Sequence, residues 1–326
     1  MLRIGVLGAA RIAPNAIIKP AAASSDARVT AVAARDRDRA NAFATKHGIP
    51  TAYGDYPELL ADPAIDAVYN PLPNGLHGRW TLAALKAGKH VLCEKPFTAN
   101  ADEARTVAEA ARASGLVVME AFHYRYHPLF RRAMEIVAGG ELGRVRHIET
   151  AFSFPLPKFS DIRYNFDLAG GALMDAGCYA VHMARSLGGS EPEVVSAHAK
   201  RHTADVDRAV RAELKFEAGH TATVSCSMWS KSVLRMSVKV VGDAGEMRIF
   251  NPLVPQILHR MSVRAGGHRR VEHFDKRPSY AYQLDAFTGA VQRGEPILTP
   301  PDDSIANMTV IDAIYTAAGL PLRHPA

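Results

Sequence analysis

The stretch LRIGVLGAARIA, residues 2–13, decides how this chain is built. Leu2–Leu7 read as a short apolar strand, Gly8 as the turn that ends it, and the following APNAIIKPAAAS as a helix. Gly8, Ala10 and Ala13 align with the dinucleotide fingerprint G-x-G-x-x-G/A. In that fingerprint the first position makes the tight turn, the second lets the backbone approach a pyrophosphate, and the third lets the helix pack closely. Ala10 departs from the pattern, and its methyl leaves room for a pyrophosphate only if the phosphate sits slightly farther out or the loop shifts. Ala9, Arg11 and Ile12 complete the turn as further candidate cofactor contacts.

The rhythm of that opening continues outward to about residue 120. VTAVAAR is a second strand and DRANAFATKHG its helix; AIDAVYNPLP and LHGRWTLAALKAGK repeat the pair, and HVLCEK, ADEARTVAEAARASG and LVVMEAF extend it. Strands alternating with helices predict a doubly wound parallel sheet. Those strands are unbroken runs of Val, Ile, Ala and Leu, so both faces of the sheet should be covered. After Phe122 the strands VRHIETAFSF, EVVSAHAKRH, RAVRAELKFE, HTATVSCSMW and SVKVVGDAGEMRIF follow one another with few helices between, which predicts a large, mostly antiparallel sheet. SYAYQLDAFTGAVQRG and SIANMTVIDAIYTAAG close the chain as helices. The expected organisation is an α/β dinucleotide-binding domain over residues 1–121 and an α+β domain for substrate binding and oligomerisation over residues 122–326.

Composition narrows the function. A chain of 326 residues with 48% hydrophobic and 22% charged residues has ample core material for two folded domains. The net charge of +6 comes from basic residues interleaved with acids, as in ARDRDRANAF, and no single-sign run marks a nucleic-acid arm. Three cysteines, Cys93, Cys178 and Cys226, are too few and too scattered for a disulfide framework or a metal knuckle, so a reducing cytoplasm is expected. Apolar strand character begins already at Leu2, no run is long enough to span a bilayer, and no HExxH, paired CxxC, GxSxG or phosphate-loop motif occurs. His123 and His127 stand four apart, but Pro128 and the flanking aromatics favour a loop or helix start over a metal site.

The end of the second strand speaks to the cofactor. A nucleotide without a 2′-phosphate would want an acid there for its ribose hydroxyls, yet the sequence reads AVAARDRDR. Arg35, with Arg39 one helical turn later, could clamp a 2′-phosphate through charge-assisted bidentate bonds, which points to NADP rather than NAD. The plainer alternative has Asp36 capping the helix and both arginines solvated.

Four stretches together carry a resemblance: GVLGAARIA, the VYNPLPNGLH loop, CEKP at 93–96, and GGALMDAGCY at 170–179. With them the chain resembles the Gfo/Idh/MocA oxidoreductases over essentially its whole length. Its local wording, including EKPFT and EAFHYRYHP, is similar to the branch that contains dimeric dihydrodiol dehydrogenase and NADP-dependent xylose dehydrogenase. The resemblance implies a Rossmann first domain, with Lys95 at the mouth of its cofactor crevice and a cis bond before Pro96. It implies that Tyr179, where many relatives carry histidine, is the acid/base group, that Lys95 serves it, and that Asp175 orients the substrate or tunes the pair. An unperturbed phenol, with a pKa of about 10, is a poor base near neutrality, and a nearby ammonium stabilises the phenolate. Asp175 and Tyr179 stand four apart and would share one face of a helix entered through a flexible Gly170-Gly171.

Pro71, Asn74 and His77 are expected to run beneath the nicotinamide ribose, and Glu94 to approach it. Arg125 and Tyr126 are expected to line the crevice, with Arg163 and Tyr280 on the substrate side. The expected activity is hydride transfer between NADP and a secondary alcohol, hemiacetal or carbonyl of a polyol, sugar or cyclic diol. A cofactor-binding sensor without turnover is the alternative, and a closed redox cycle on tightly held cofactor a third. The resemblance also implies a homodimer or homotetramer paired through the open face of the antiparallel sheet.

Overall fold

The computed structural model describes residues 1–229 and 234–326. The chain divides into two compact units, each with its own sheet. The first comprises Met1–His123, Tyr280–Ile305 and Pro325–Ala326, and the second Tyr124–Ser279 and Ala306–His324. Residues 280–305 thus group with the first unit, a return of the chain that a single cut near residue 121 does not express.

The first sheet contains β1 (Leu2–Leu7), β2 (Ala27–Ala33), β3 (Thr51–Tyr53), β4 (Ala67–Asn70), β5 (His90–Cys93) and β6 (Val118–Glu120), in the order β3-β2-β1-β4-β5-β6. Every pairing is parallel. The strand order reverses between β1 and β4, and in such sheets ligands bind outside the carboxyl ends of the strands at that point. Both faces are covered, as the apolar runs require: Ile4, Val6, Val32, Val68, Val91 and Leu92 are all fully buried. The connecting helices are α1 (Lys19–Ala22), entered through a π-helical turn at Pro14–Ile18, then α2 (Arg37–His47), α3 (Tyr56–Ala61), α4 (His77–Lys86) and α5 (Ala101–Ser114). Asp36, Asp55 and Asn100 cap α2, α3 and α5 by accepting backbone N–H bonds from Arg39, Glu58 and Glu103. Residues 280–305 are tied in where Glu120 N–H donates to Thr299 O at 3.1 Å and Thr299 Oγ1 donates to Glu120 O at 2.7 Å.

The second unit begins with α6 (Pro128–Ala138), β7 (Val145–Ser153) and α7 (Cys178–Gly188). Then come β8 (Glu193–Arg201), β9 (Asp207–Lys215), β10 (Thr221–Ser227), β11 (Arg235–Gly242), β12 (Gly245–Phe250), β13 (Arg260–Ala265) and β14 (His268–Glu272). The chain closes with α8 (Ser279–Arg293) and α9 (Pro301–Ala317). The second sheet runs β14-β13-β12-β11-β7-β10-β9-β8 and is antiparallel except at β7–β10. Its strands alternate: Ile148, Val210, Ala222, Val238 and Met247 point inward and are buried, while Glu149, Arg211, Lys239 and Arg248 point out. One face of this sheet is therefore core and the other solvent-facing. The helix α7 covers the inner face, where Thr150 Oγ1 of β7 donates to Ala180 O at 2.8 Å. Ala180, Val181, Met183, Ala184 and Leu187 line it as buried residues.

Candidate active site

In the first unit the candidate groups gather at the carboxyl ends of β1, β4 and β5. The turn after β1 is fixed by Gly8 N–H donating to Ala33 O and Ala10 N–H donating to Gly8 O, both at 2.8 Å. Gly8 has φ of +97°, and a Cβ there would stand 3.0 Å from Leu72 Cδ2, so the position takes only glycine. Ala9 and Ala10 are half-buried and Arg11 and Ile12 exposed, presenting this turn to a ligand.

At the end of β2, Ala33 and Ala34 are buried and Arg35 is exposed. Asp36 does cap α2, with Arg39 N–H donating to Oδ1 at 2.9 Å, and the Arg39 guanidinium donates to Ala9 O at 3.3 Å. Asp36 thus caps the helix, with Arg35 and Arg39 both exposed beside it. Burial pushes the Tyr56 phenol up, and the positive charge of Arg35 and Arg39 partly counters it. The turn, the helix after it and two cations beside it fit the diphosphate and an additional phosphate of a dinucleotide.

After β4, Asn70 Nδ2 donates to His77 O at 3.0 Å and to Thr81 Oγ1 at 3.2 Å, tying the loop through Pro71 and Asn74 to the start of α4. His77 is fully buried, with Nδ1 2.7 Å from Pro96 O and Nε2 2.7 Å from Leu72 O. Burial pulls its pKa down to about 4 despite the pull of the two carbonyls, and Lys95 lowers it further. The imidazole therefore stands between the turn after β4 and the turn after β5, donating to one of the two carbonyls when neutral and to both when protonated.

After β5 come Glu94, Lys95 and a cis bond to Pro96. Tyr69 Oη donates to Glu94 Oε1 at 2.7 Å, and Lys95 N–H donates to Glu94 Oε2 at 3.3 Å, so the carboxylate is aimed from two sides. Lys95 is half-buried. Burial, with Glu94 adding to it, keeps the Tyr280 phenol protonated, and its ring lies 4.1 Å from that of His123.

In the second unit Tyr179 is buried near the start of α7, its ring 5.7 Å from Phe152 and 5.9 Å from Tyr124. Tyr124 Oη lies 2.5 Å from His182 Nδ1. Asp175 does not belong to the same α-helix as Tyr179: Leu173–Gly177 form a π-helical turn, whose wider winding replaces the expected helical face. Arg163 Nε bonds Asp175 Oδ1 and Arg163 Nη1 bonds Asp161 Oδ1, each at 3.1 Å. Asp175 is foremost in holding the guanidinium charged. Asp175 is thus one half of an ion pair. Arg125 places its guanidinium 5.8 Å over the Phe130 ring, and Tyr126 is buried.

The glycine entry to this turn is not flexible. Gly171 has φ of +144°, and a Cβ there would come within 2.7 Å of Tyr315 Oη and 2.8 Å of Arg323 Nη2. Arg323 Nε donates to Gly170 O at 2.6 Å and Nη2 to Asp207 Oδ1 at 2.8 Å, both groups fully buried. Tyr315 Oη and Leu173 N–H also donate to Asp207, at 3.0 and 2.7 Å. Burial pushes the Asp207 carboxyl up, and the guanidinium and the two further donors counter it. Sequence reasoning missed this network and the Tyr124–His182 pair. The available signals were an acid at the head of an apolar strand in VDRAV and an arginine in the apolar tail LPLRHP.

A parallel sheet with a glycine turn at its switch point, joined in one chain to an open antiparallel sheet covered by a helix with a buried tyrosine, is the architecture of a class of two-domain dehydrogenases. The chain belongs to the GFO/IDH/MocA oxidoreductase family: residues 2–122 match its NAD-binding Rossmann fold and residues 130–248 its C-terminal domain. It is 41% identical over 318 residues to D-xylose 1-dehydrogenase (NADP(+)) 2 of Haloferax volcanii, covering 97% of each chain. It is 37% identical over 229 residues to trans-1,2-dihydrobenzene-1,2-diol dehydrogenase of Bos taurus, covering 70% of this chain and 68% of that one. A 3-ketoreductase from Actinomadura kijaniata, solved with NADP and TDP-benzene, superposes with a TM-score of 0.89 at 32% identity over 97% of both chains. Among the described residues no helix is long and apolar enough to cross a membrane, and no three His, Cys, Asp or Glu side chains group as metal ligands.

Proposed function

We propose that this protein is an NADP-dependent oxidoreductase acting on a secondary alcohol, hemiacetal or carbonyl of a sugar-like or cyclic diol substrate. The observation that carries the reading is the β1 turn, bonded to the Arg39 guanidinium, beside a β2 end that offers Arg35 and no acid to the ribose. Two relatives whose names include NADP or a sugar or diol substrate support it. Bound NADP would supply the hydride acceptor or donor. Gly8, Ala9, Ala10, Arg11 and Ile12 would hold its diphosphate, Arg35 and Arg39 its 2′-phosphate, and Pro71, Asn74, His77 and Glu94 would shape the ribose end.

In the oxidative direction the Tyr179 phenolate takes the substrate hydroxyl proton as hydride leaves the adjacent carbon; in reduction the phenol returns it. A phenolate in so buried a place needs a cation, and Lys95 serves that need. Arg163 and Asp175 hold the substrate as a pair, with Arg125 at the edge. Under this reading the chain works as a homodimer or homotetramer in the cytoplasm, in keeping with three buried cysteines outside any disulfide.

The test is NADP reduction across a panel of aldoses, polyols and cyclic diols. Lys95→Met and Tyr179→Phe should each lower kcat by roughly 100-fold or more while NADP affinity stays near wild type. Undiminished turnover in either variant would remove the proposed acid/base pair.

A further inference from the structure

We propose that Arg323, in the tail after α9, is a positioning residue for the reaction: with Asp207 it sets where the Arg163–Asp175 pair meets the substrate. The inference rests on the reading of that pair as substrate-holding, and every group in it belongs to the second unit.

The pair stands on a loop that doubles back on itself. Gly170 N–H donates to Asn165 O and Gly171 N–H to Arg163 O, both at 2.8 Å, and Asp175 N–H donates to Gly171 O at 3.0 Å. The backbone that carries the Arg163 guanidinium is thereby stitched to the turn that carries the Asp175 carboxylate, and the two side chains close the circuit at 3.1 Å. The seam is tight, because a Cβ on Gly170 would stand 2.6 Å from Asn165 O and 2.7 Å from Arg163 O.

Arg323 anchors that seam from behind. Its Nε donates to Gly170 O at 2.6 Å, Nη2 to Asp207 Oδ1 at 2.8 Å and Nη1 to Pro321 O at 2.9 Å. Its Cζ lies 5.0 Å from the centre of the Phe166 ring, on the same loop, and 4.1 Å from that of Tyr315. The other carboxylate oxygen of Asp207 accepts from Leu173 N–H at 2.7 Å, at the head of the π-helical turn that bears Asp175. One fully buried ion pair therefore grips the loop at Gly170 and the turn at Leu173, the two supports on which Arg163 and Asp175 stand. These directions suit a planar fork. A lysine ammonium keeps the charge beside Asp207 but lacks the fixed second donor that reaches Gly170 O.

The experiment is steady-state kinetics of Arg323→Lys, Asp175→Asn and the double variant at saturating NADP, with the aldose turned over fastest in the panel above. Arg323→Lys should raise KM roughly tenfold and leave kcat within about threefold, because the pair holds ground state and transition state alike. In the Asp175→Asn background the same change should move KM by less than about twofold, a coupling that a residue acting on stability alone does not show. NADP affinity should stay at the wild-type value throughout. If Asp175→Asn raises KM and Arg323→Lys leaves it within about twofold of wild type, the proposal is overturned and the proposed function stands. An equal effect of Arg323→Lys in both backgrounds overturns it too. An unaltered KM in Asp175→Asn removes the substrate-holding pair and this proposal together. Should Arg323→Lys fail to fold, Tyr315→Phe takes its place, since it removes one donor to Asp207 and keeps the ion pair. It should raise KM about threefold by the same route, and an unchanged KM there is equally fatal.

Discussion

The two units hold their candidate groups by different means. In the first, side chains stand on turns after buried parallel strands and are fixed by short local links: His77 between the carbonyls of Leu72 and Pro96, Arg39 to Ala9 O, and the Glu94 carboxylate to the Lys95 amide. In the second, the turn before Tyr179 is held by a buried ionic knot of Asp207, Arg323 and Tyr315. A parallel sheet delivers all its strand ends to one edge, so a site there needs only local stitching. An open antiparallel sheet delivers none, and a helix laid across it must be pinned by charges from distant parts of the chain.

The difference should be visible in stability. Arg323→Met leaves the Asp207 carboxylate buried without its cation and should cost about 3–5 kcal/mol, read as a lowered denaturant midpoint. A loss under 1 kcal/mol would mean that the knot is not what pins the second unit.

Acid probes the stitching of the first unit. The folded pKa of His77, about 4, lies below its ordinary 6.5, so the unfolded chain binds the extra proton first. The stabilisation is complete above pH 6.5 and is lost as pH falls toward 4, by up to roughly 3 kcal/mol. His77→Asn should flatten that part of the stability–pH curve, and an unchanged slope would place the acid sensitivity elsewhere.

Arg35→Ala should weaken NADP by roughly tenfold, about 1.4 kcal/mol, and leave NAD unchanged; equal losses would count against a phosphate clamp. The smallest effect is expected at Arg37, whose 2.7 Å pair with Glu58 is largely exposed. Arg37→Ala should shift stability by less than about 1 kcal/mol, which sets the scale against which Arg323 is judged.

The first unit was legible because its signals are local: an apolar run, Gly8, a helix, and the same rhythm repeated. The alternation of the second sheet was legible for the same reason, although β13 and β14, short and studded with arginine, do not stand out as strands. His77 is different. Its spacing marks it as a candidate contact, but its partners Leu72 and Pro96 come from turns after two different strands, and no local pattern records that. The π-helical turn at Leu173–Gly177 was hidden by residues that suit an ordinary helix equally well. Asp207 and Arg323 lie 116 positions apart, so their pairing exists only in the folded chain.

Gly171 illustrates how far such a pairing reaches. Any side chain there would strike Asp207, Tyr315 and Arg323 together. A side chain at residue 171 can be housed only where these neighbours give way, so related sequences in which residue 171 carries one should have replaced the arginine near the chain's end as well. Their joint inheritance would trace, across half the length of the gene, a knot that no single stretch of sequence displays.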